Sequence, residues 1–218
     1  MKLVVALLLS IPLSALCQGL AAPNTPNIDT PNVNASNPVL KPATTGSTLK
    51  HFAEIDSTGV YKGSRPRSDA DFRFLQSLHI KYIVDVEVPL LPWESYLERR
   101  KAKEYGITVL LGIMNASPIP PSEKHVDHIL AILHDDRNHP IYFHCKWGRD
   151  RTAVIAALYQ MYFENMSEQE AMQYLHDNGY GFKFGWLRAG LIRYVRKHPT
   201  PPADLAPGSG TPASAQAK

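Results

Sequence analysis

The chain has 218 residues, of which 44% are hydrophobic and 20% are charged, and this composition is typical of a globular protein with one main domain. The net charge of +3 is too small to suggest a nucleic-acid-binding protein, and neither a basic run nor an array of aromatic residues supports one. A mild excess of positive charge is instead compatible with an anionic substrate.

Residues 1–22 have the pattern of a secretory signal peptide. Lys2 precedes a short apolar run over residues 3–9, and small residues follow. The run is too short to span a membrane, and a proline soon interrupts it. A lipoprotein anchor at Cys17 is the alternative, but Leu16 stands where such signals carry a small residue. We therefore expect an exported protein, periplasmic or secreted, without a stable membrane span.

The chain contains two cysteines, Cys17 and Cys145. If Cys17 leaves with the signal peptide, Cys145 has no partner and a disulfide framework is excluded. A lone cysteine is most often a small, buried and inert side chain. An exported protein that keeps an oxidation-prone thiol nevertheless needs a reason for it, and catalysis is the simplest one. Cys145 is therefore a candidate nucleophile.

Proline-rich segments mark both ends of the predicted domain. Residues 23–50 carry five prolines among Asn, Thr and Ser, which indicates a disordered or extended linker. Residues 199–218 begin with three prolines in four positions and continue as a Pro, Ala, Gly and Ser tail. The folded domain is therefore predicted over residues 51–198, near the common domain size of about 100–150 residues.

Predicted helices and strands alternate along this domain. In chain order we predict a strand at 60–61, a helix capped by Ser68, a strand over 81–86, a helix over 93–105, a strand over 107–111, a helix beginning at Ser122, a strand over 141–143, and three helices, over 151–163, from Ser167 and over 185–196. Long crossovers between strands predict an α/β fold with a mostly parallel sheet flanked by helices. Ligands of such folds bind at the carboxyl ends of the strands.

One of these carboxyl ends carries the most informative sequence, His-Cys-Lys-Trp-Gly-Arg-Asp-Arg-Thr over residues 144–152. The segment joins a buried strand to an apolar helix. Backbone N–H groups at a helix N-terminus bind phosphate, and the same positive end favours a thiolate there. We therefore predict that Cys145 attacks phosphorus and that Arg151 binds two phosphate oxygens.

The remaining loop residues are predicted to complete a phosphate-binding site. Gly148 allows the backbone to turn its N–H groups inward. Thr152 is placed to hydrogen-bond the thiolate, although a helix cap is its alternative role. Lys146 and Arg149 add positive charge and Trp147 a wall, which suits substrates with several phosphates. The two cations are equally compatible with solvated surface positions. Further candidates for the same surface are Lys62, Arg65, Lys183 and Arg188.

With these residues in view, the chain resembles the cysteine-based phosphatases of the protein-tyrosine phosphatase superfamily, within the dual-specificity branch. Their signature of His-Cys, five residues, Arg and then Ser or Thr matches His144, Cys145, Arg151 and Thr152. The resemblance covers about residues 55–195. It implies a dual-specificity-phosphatase-like fold and phosphomonoester hydrolysis through a phosphocysteine intermediate, without metal or cofactor.

Two further stretches sharpen this resemblance. Residues 60–66 are similar to the segment that opens the catalytic domain of these enzymes. Residues 137–140 are similar to the plant and fungal atypical dual-specificity phosphatases, many of which act on inositol pyrophosphates. Where the family often carries an arginine after the second strand, this chain has Glu87, so an anion contact from that position is not expected.

The general acid is the main departure from the family. Most members carry an aspartate on a mobile loop, but the corresponding residues 114–121 contain none, and Glu123 lies just beyond them. Asp150, inside the phosphate loop, resembles the loop aspartate that is thought to supply the proton in the myotubularin lipid phosphatases. We predict that Asp150 is the acid, with Glu123 as a weaker candidate and helix capping as the alternative role of Asp150.

Three functions are compatible with the sequence. The first is hydrolysis of inositol polyphosphates or similar multiply phosphorylated small molecules. The second is a protein phosphatase acting on phosphotyrosine, and on phosphoserine or phosphothreonine. The third is an inactive phosphate-binding module, which the intact Cys145, Arg151 and Thr152 disfavour. A monomer that needs no metal, cofactor or nucleic acid is expected in each case.

Overall fold

A computed structural model describes residues 47–87, 92–114, 122–178, 185–202 and 205. These residues form five strands, β1 Ala53–Glu54, β2 Val60–Ser64, β3 Tyr82–Glu87, β4 Thr108–Met114 and β5 Ile141–Cys145. The helices are α1 Asp69–Ser77, α2 Pro92–Glu104, α3 Glu123–His134, α4 Arg151–Phe163, α5 Glu168–Asp177 and α6 Gly185–Lys197, and a 3₁₀ turn covers Asp136–Asn138.

The strands form one sheet in the order β1-β2-β5-β3-β4. The pairs β2–β5, β5–β3 and β3–β4 are parallel, whereas β1 pairs with β2 in the antiparallel direction. The predicted α/β fold with a mostly parallel sheet is therefore confirmed. Strand β1 was not predicted from the sequence, because two residues are too few to show an alternating pattern.

Helices cover both faces of the sheet because alternate residues of each strand project to opposite sides. In β5, Phe143 and Cys145 join the larger core under α3, α4, α5 and α6. Tyr142 joins the smaller core with Phe72 and Leu75 of α1. Helix α4 is apolar on every side because it is buried between the sheet and its neighbouring helices.

Local sequence determines where several helices begin and end. The predicted capping box at Ser68 is confirmed, since its hydroxyl accepts the N–H of Asp71 and the Asp71 carboxylate accepts the N–H of Ser68. The capping box at Ser167 is confirmed in the same way with Glu170. Helix α2 ends just before Gly106, whose φ of 73° is the left-handed conformation that glycine adopts readily.

The folded part extends beyond both predicted boundaries. Residues 47–50, assigned by the sequence to the linker, are bonded to the domain, and Leu49 is buried. In the predicted tail, Leu205 is buried within the larger core. The proposed signal peptide and the linker up to residue 46 lie outside the described residues. Within the described ranges, the helices are all too short or too polar to cross a membrane.

Candidate phosphatase site

The loop from Cys145 to Arg151 lies at the carboxyl end of the parallel strands, as predicted. Cys145 is the last residue of β5, and Arg151 is the first residue of α4. The Cys145 carbonyl accepts the backbone N–H of Arg65 at 3.0 Å. The thiol is 3% exposed and forms no disulfide. The fold therefore holds Cys145, the predicted nucleophile, between the end of β5 and the N-terminus of α4.

Gly148 brings this loop against the end of β2. Its φ is 68°, and a Cβ atom at this position would clash with the backbone of Gly63 and Ser64. A side chain is excluded both by the backbone conformation and by the contact. The loop is thereby held against the end of β2.

Arg151 and Thr152 lie where the sequence predicts. The Arg151 guanidinium is 14% exposed, and its Nη1 atom lies 3.9 Å from a carboxylate oxygen of Glu87. Thr152 is fully buried, and its hydroxyl has no hydrogen-bond partner among the described residues. A buried hydroxyl without a partner is costly, so the Thr152 hydroxyl is available as a hydrogen-bond donor at the start of α4.

Asp150 is buried inside the loop. Its residue exposure is 6%, and its side chain makes no hydrogen bond that caps α4. One carboxylate oxygen lies 3.6 Å from Nε of Arg149. Asp150 therefore occupies the N-cap position of α4 without a side-chain capping bond to the helix, and its carboxyl group lies in the loop that also carries Cys145.

Glu123, the weaker acid candidate, is held away from such a role by two cations. Lys197 donates to Glu123 at 2.6 Å, and His198 lies 3.5 Å from the same oxygen. The hydrogen bond from Lys197 is the main reason that the pKa of Glu123 is lowered. With its pKa lowered, the Glu123 carboxyl group is already ionised at neutral pH and therefore has no proton to donate.

A buried group of charged side chains supports the loop from below, and we call it the Arg65 cluster. Its members come from the end of β2, from β3, from α2 and from β5: Arg65, Asp85, Glu87, Glu94, Glu98 and His144. Arg65 contacts the four carboxylates at 3.2–3.8 Å, and its own side chain is 6% exposed. Glu87 belongs to this cluster and also contacts Arg151, so its carboxylate is directed at two arginines.

His144 connects the loop to this cluster through its side chain. Its Nε2 atom lies 2.6 Å from Glu98, and its Nδ1 atom lies 3.9 Å from Asp85. Burial lowers the pKa of His144, but Glu98 and Asp85 outweigh it and raise that pKa to about 9. Burial raises the pKa of Asp85 to about 6. His144 is therefore an imidazolium at neutral pH, and its side chain ties the strand before the loop to the Arg65 cluster.

The rim of the site contains the predicted residues and one further cation that was not predicted from the sequence. Lys146, Trp147 and Arg149 are at least partly exposed, as a rim requires, and Trp147 is 50% exposed. Lys50 was missed, because it lies in the predicted linker, yet its Nζ atom lies 5.6 Å from the centre of the Trp147 ring. The Lys50 backbone donates to Ser64 Oγ and accepts from the Ser64 N–H, both at 2.9 Å.

Four other cations were considered for this surface from the sequence. Arg65 belongs to the Arg65 cluster, and the Lys62 side chain is fully buried. Arg188 donates to the sulfur of Met172 on α5, and Lys183 lies outside the described residues. Lys50 therefore replaces them as the additional cation beside Trp147.

The histidines of α3 are not arranged as a metal site. His134 stacks on Phe163 with 3.7 Å between ring centres, so its ring is occupied by packing. In the part of the chain that the structure describes, no group of three His, Cys, Asp or Glu side chains is placed to hold a metal ion.

A family model described as the tyrosine phosphatase family matches residues 48–170, which is more than half of the chain. The chain belongs to the tyrosine phosphatase family. The resemblance to cysteine-based phosphatases inferred from the 144–152 segment is thereby confirmed. The matched region begins within the predicted linker, in agreement with the bonds that tie residues 47–50 of this phosphatase to its domain.

Curated relatives of this phosphatase come from yeast and plants. Tyrosine-protein phosphatase-like protein OCA2 of Saccharomyces cerevisiae is 27% identical over 147 residues, which cover 65% of this chain and 69% of that protein. Inositol diphosphatase DSP3 of Arabidopsis thaliana is 34% identical over 109 residues, which cover 48% of this chain and 51% of the relative. The phosphatase thus spans about half the length of the inositol diphosphatases that it matches.

Solved structures share the fold. The core catalytic domain of the PP-IP phosphatase SIW14 from S. cerevisiae, in complex with citrate, gives a TM-score of 0.58 at 20% identity and covers 66% of this chain and 85% of that one. P. aeruginosa TpbA gives a TM-score of 0.52 at 22% identity and covers 67% and 83%. The predicted dual-specificity-phosphatase-like architecture is in agreement with both.

The Glu98–His144 pair gives a pH-dependent test of the buried cluster. We expect Glu98→Gln to lower the free energy of unfolding at pH 6.5 by about 3 kcal/mol, as is typical of breaking a buried ion pair. Because the folded-state pKa of His144 is raised to about 9, its stabilisation is complete below about 6.5 and is lost as the pH rises through 9. The difference between the two proteins should therefore shrink over that range, as measured by urea unfolding.

Glu104→Gln is the matched control, because Glu104 lies on the same helix in an exposed ion pair with Lys101. Its effect should stay below about 1 kcal/mol. A loss for Glu98→Gln that does not depend on pH would contradict a charged His144.

Proposed function

We propose that the chain hydrolyses phosphomonoesters through a phosphocysteine intermediate. The observation that carries this proposal is that Cys145 ends β5 and Arg151 begins α4, so that the loop between them leads from a strand end into a helix N-terminus. The Cys145 sulfur forms a bond to phosphorus as the bond to the leaving oxygen breaks. Arg151 and the loop N–H groups bind the three remaining oxygens while their charge shifts. Water then attacks phosphorus, the sulfur leaves, and phosphate is released.

We propose Asp150 as the proton donor to the leaving oxygen and as the base for the attacking water. The support is its burial within the loop, its lack of a capping bond to α4 and the ion pairs that hold Glu123 ionised. An alkoxide is a poor leaving group unless it is protonated, so this step requires an acid within reach. Thr152 is assigned the hydrogen bond to the Cys145 thiolate, which eases its departure in the second step.

Inositol polyphosphates, or small molecules with a similar number of phosphates, are the proposed substrates. Relatives that match this chain are named inositol diphosphatases, and a structural neighbour is named a PP-IP phosphatase. Lys50, Lys146 and Arg149 supply cations around the loop for phosphates other than the one being cleaved. A protein phosphatase acting on phosphotyrosine is the second candidate, because the exposed ring of Trp147 offers a surface on which a tyrosine ring could stack.

We also propose that the enzyme acts outside the cytoplasm, in the periplasm or the medium. The support is the signal-peptide pattern of residues 1–22 and the use of a single cysteine after it. Detection of the processed protein in a periplasmic or medium fraction, and not in the cytoplasmic one, would test this assignment.

Phosphate release from three substrates tests the substrate proposal. The assay compares inositol hexakisphosphate, a phosphotyrosine peptide and a phosphoserine peptide at matched concentrations, with Cys145→Ser as the blank. We expect the inositol compound to give the highest kcat/KM and the blank to be inactive on all three. Turnover of the phosphotyrosine peptide alone would reject the inositol preference, and residual activity of Cys145→Ser would reject the cysteine mechanism.

The acid role of Asp150 is tested by the leaving group. For Asp150→Asn we expect kcat on an alkyl phosphate to fall at least about 100-fold, the usual contribution of a general acid. Turnover of p-nitrophenyl phosphate should change little, because nitrophenolate leaves without a proton. Glu123→Gln is the control and should keep both activities. Unchanged turnover of the alkyl phosphate by Asp150→Asn would rule out the assignment, and a selective loss in Glu123→Gln would transfer the role.

Lys50→Ala tests the contribution of the rim. We expect kcat/KM on inositol hexakisphosphate to fall about fivefold, the size of one partly exposed charge contact, and the loss to shrink at high salt. Activity on p-nitrophenyl phosphate, which has a single phosphate, should stay within about twofold of the wild type. Lys103→Ala, an exposed lysine near the far end of α2, is the matched control. An equal loss on both substrates would mean that Lys50 does not act on additional phosphates.

A further inference from the structure

Lys62 of β2 is a buried cation that the proposed reaction does not use. The residue is 1% exposed and is one of the largest fully buried side chains among the described residues. Its Nζ atom donates to Asn178 Oδ1 at 2.6 Å and to the His51 carbonyl at 3.2 Å, and it lies 5.5 Å from the centre of the Tyr174 ring. These contacts satisfy its N–H groups but supply no full negative charge.

An ammonium group removed from water needs an opposite charge as well as hydrogen bonds. Within the described part of the chain, Asp and Glu side chains form no ion pair with Lys62. Asn178 is the C-cap of α5, so the helix end contributes a partial negative charge. The titratable group whose negative charge acts on Lys62 is Cys145.

The register of the sheet places these two side chains on the same face of adjacent strands. Strand β2 runs parallel to β5, with Lys62 opposite Phe143 and Ser64 opposite Cys145. Since alternate residues share a face, Lys62 and Cys145 project to the same side of adjacent strands. That side is the one covered by α4 and α5, where water is excluded and a charge interaction is weakly screened.

The other titratable groups around Lys62 do not replace Cys145 as its counter-charge. His51, before β1, is a base whose pKa burial lowers and Lys62 lowers further. Tyr174, on α5, has its pKa raised by burial and stays neutral. Arg149 and Asp150, in the loop, act on the His51 ring with opposite signs.

We propose that Lys62 is a positioning residue whose buried ammonium group is the counter-charge of the Cys145 thiolate. The proposal rests on Cys145 being the nucleophile assigned above. Burial lowers the pKa of Lys62 to about 8, and the Cys145 charge opposes that change. Lys62 is therefore charged below about pH 8, and its support of the thiolate is present there and declines at higher pH.

The pH dependence of Cys145 alkylation tests this assignment without requiring turnover. Iodoacetamide labelling is followed from about pH 4.5 to about pH 8 by mass spectrometry of the peptide that contains Cys145, because only the thiolate reacts. For Lys62→Met we expect the half-maximal rate to move up by about one pH unit, the usual effect of losing one close opposite charge. Lys62→Arg, which keeps the charge, should remain near the wild type.

Asn178→Ala is the matched control, because it removes an anchor of the ammonium group but not its charge. If Lys62 only ties β2 to α5, both Lys62→Met and Asn178→Ala will lower the melting temperature and neither will move the alkylation profile, which would overturn the proposal. If Lys62→Met does not fold, Lys62→Gln, which can still donate to Asn178, is measured with the same expectation.

The alkylation experiment and the activity assay of Cys145→Ser together distinguish a failure of this proposal from a failure of the proposed function. An inactive Cys145→Ser together with an unmoved alkylation profile in Lys62→Met would reject the role of Lys62 alone. An active Cys145→Ser would reject the cysteine mechanism whatever the alkylation profile shows.

Discussion

Four carboxylates surround Arg65 beneath the Cys145–Arg151 loop, three of them buried and Glu94 partly exposed, and their charge has to be balanced inside the fold. Arg65 contacts all four, and the protonated ring of His144 neutralises part of the remainder. Burying charges of one sign without partners would cost several kcal/mol per ion. The balance of these charges therefore constrains how β2, β3, β5 and α2 are placed relative to one another. The packing of apolar side chains is the second constraint.

The charged side chains around the site are arranged in two layers of opposite sign. Below the loop, the carboxylates of the Arg65 cluster hold His144 and contact Arg151. Above it, Lys50, Lys146 and Arg149 surround the opening. Outer cations of this kind would attract an anionic substrate, as proposed above, while the inner carboxylates contact Arg65, His144 and Arg151. Glu87 is an example of this arrangement. Its carboxylate would repel phosphate if it faced the opening, but it contacts Arg65 and Arg151 instead.

The sequence predicted those parts of the molecule whose pattern is local. The capping boxes at Ser68 and Ser167 lie within four residues, and the Cys145–Arg151 loop lies between a strand and a helix that are adjacent in the chain. Lys62 and Lys50 illustrate what could not be predicted. A lysine in a strand is usually exposed, and the burial of Lys62 depends on a helix more than 100 residues later. Lys50 follows a proline-rich stretch, whose composition conceals that its last residues bond to β2.

The bonds between Lys50 and Ser64 have a mechanical consequence. Ser64 ends the strand that lies against Gly148, and its partner in the sheet register is Cys145. Residues 47–50 are also fixed to α1 through Thr48 and Asp71. A tension or restraint applied to the chain before Ser47 is therefore transmitted to the strand end that supports the catalytic loop. From Ser47 onward this transmission runs through hydrogen-bonded residues, so the end of β2 and the loop beside it respond to a restraint on Ser47.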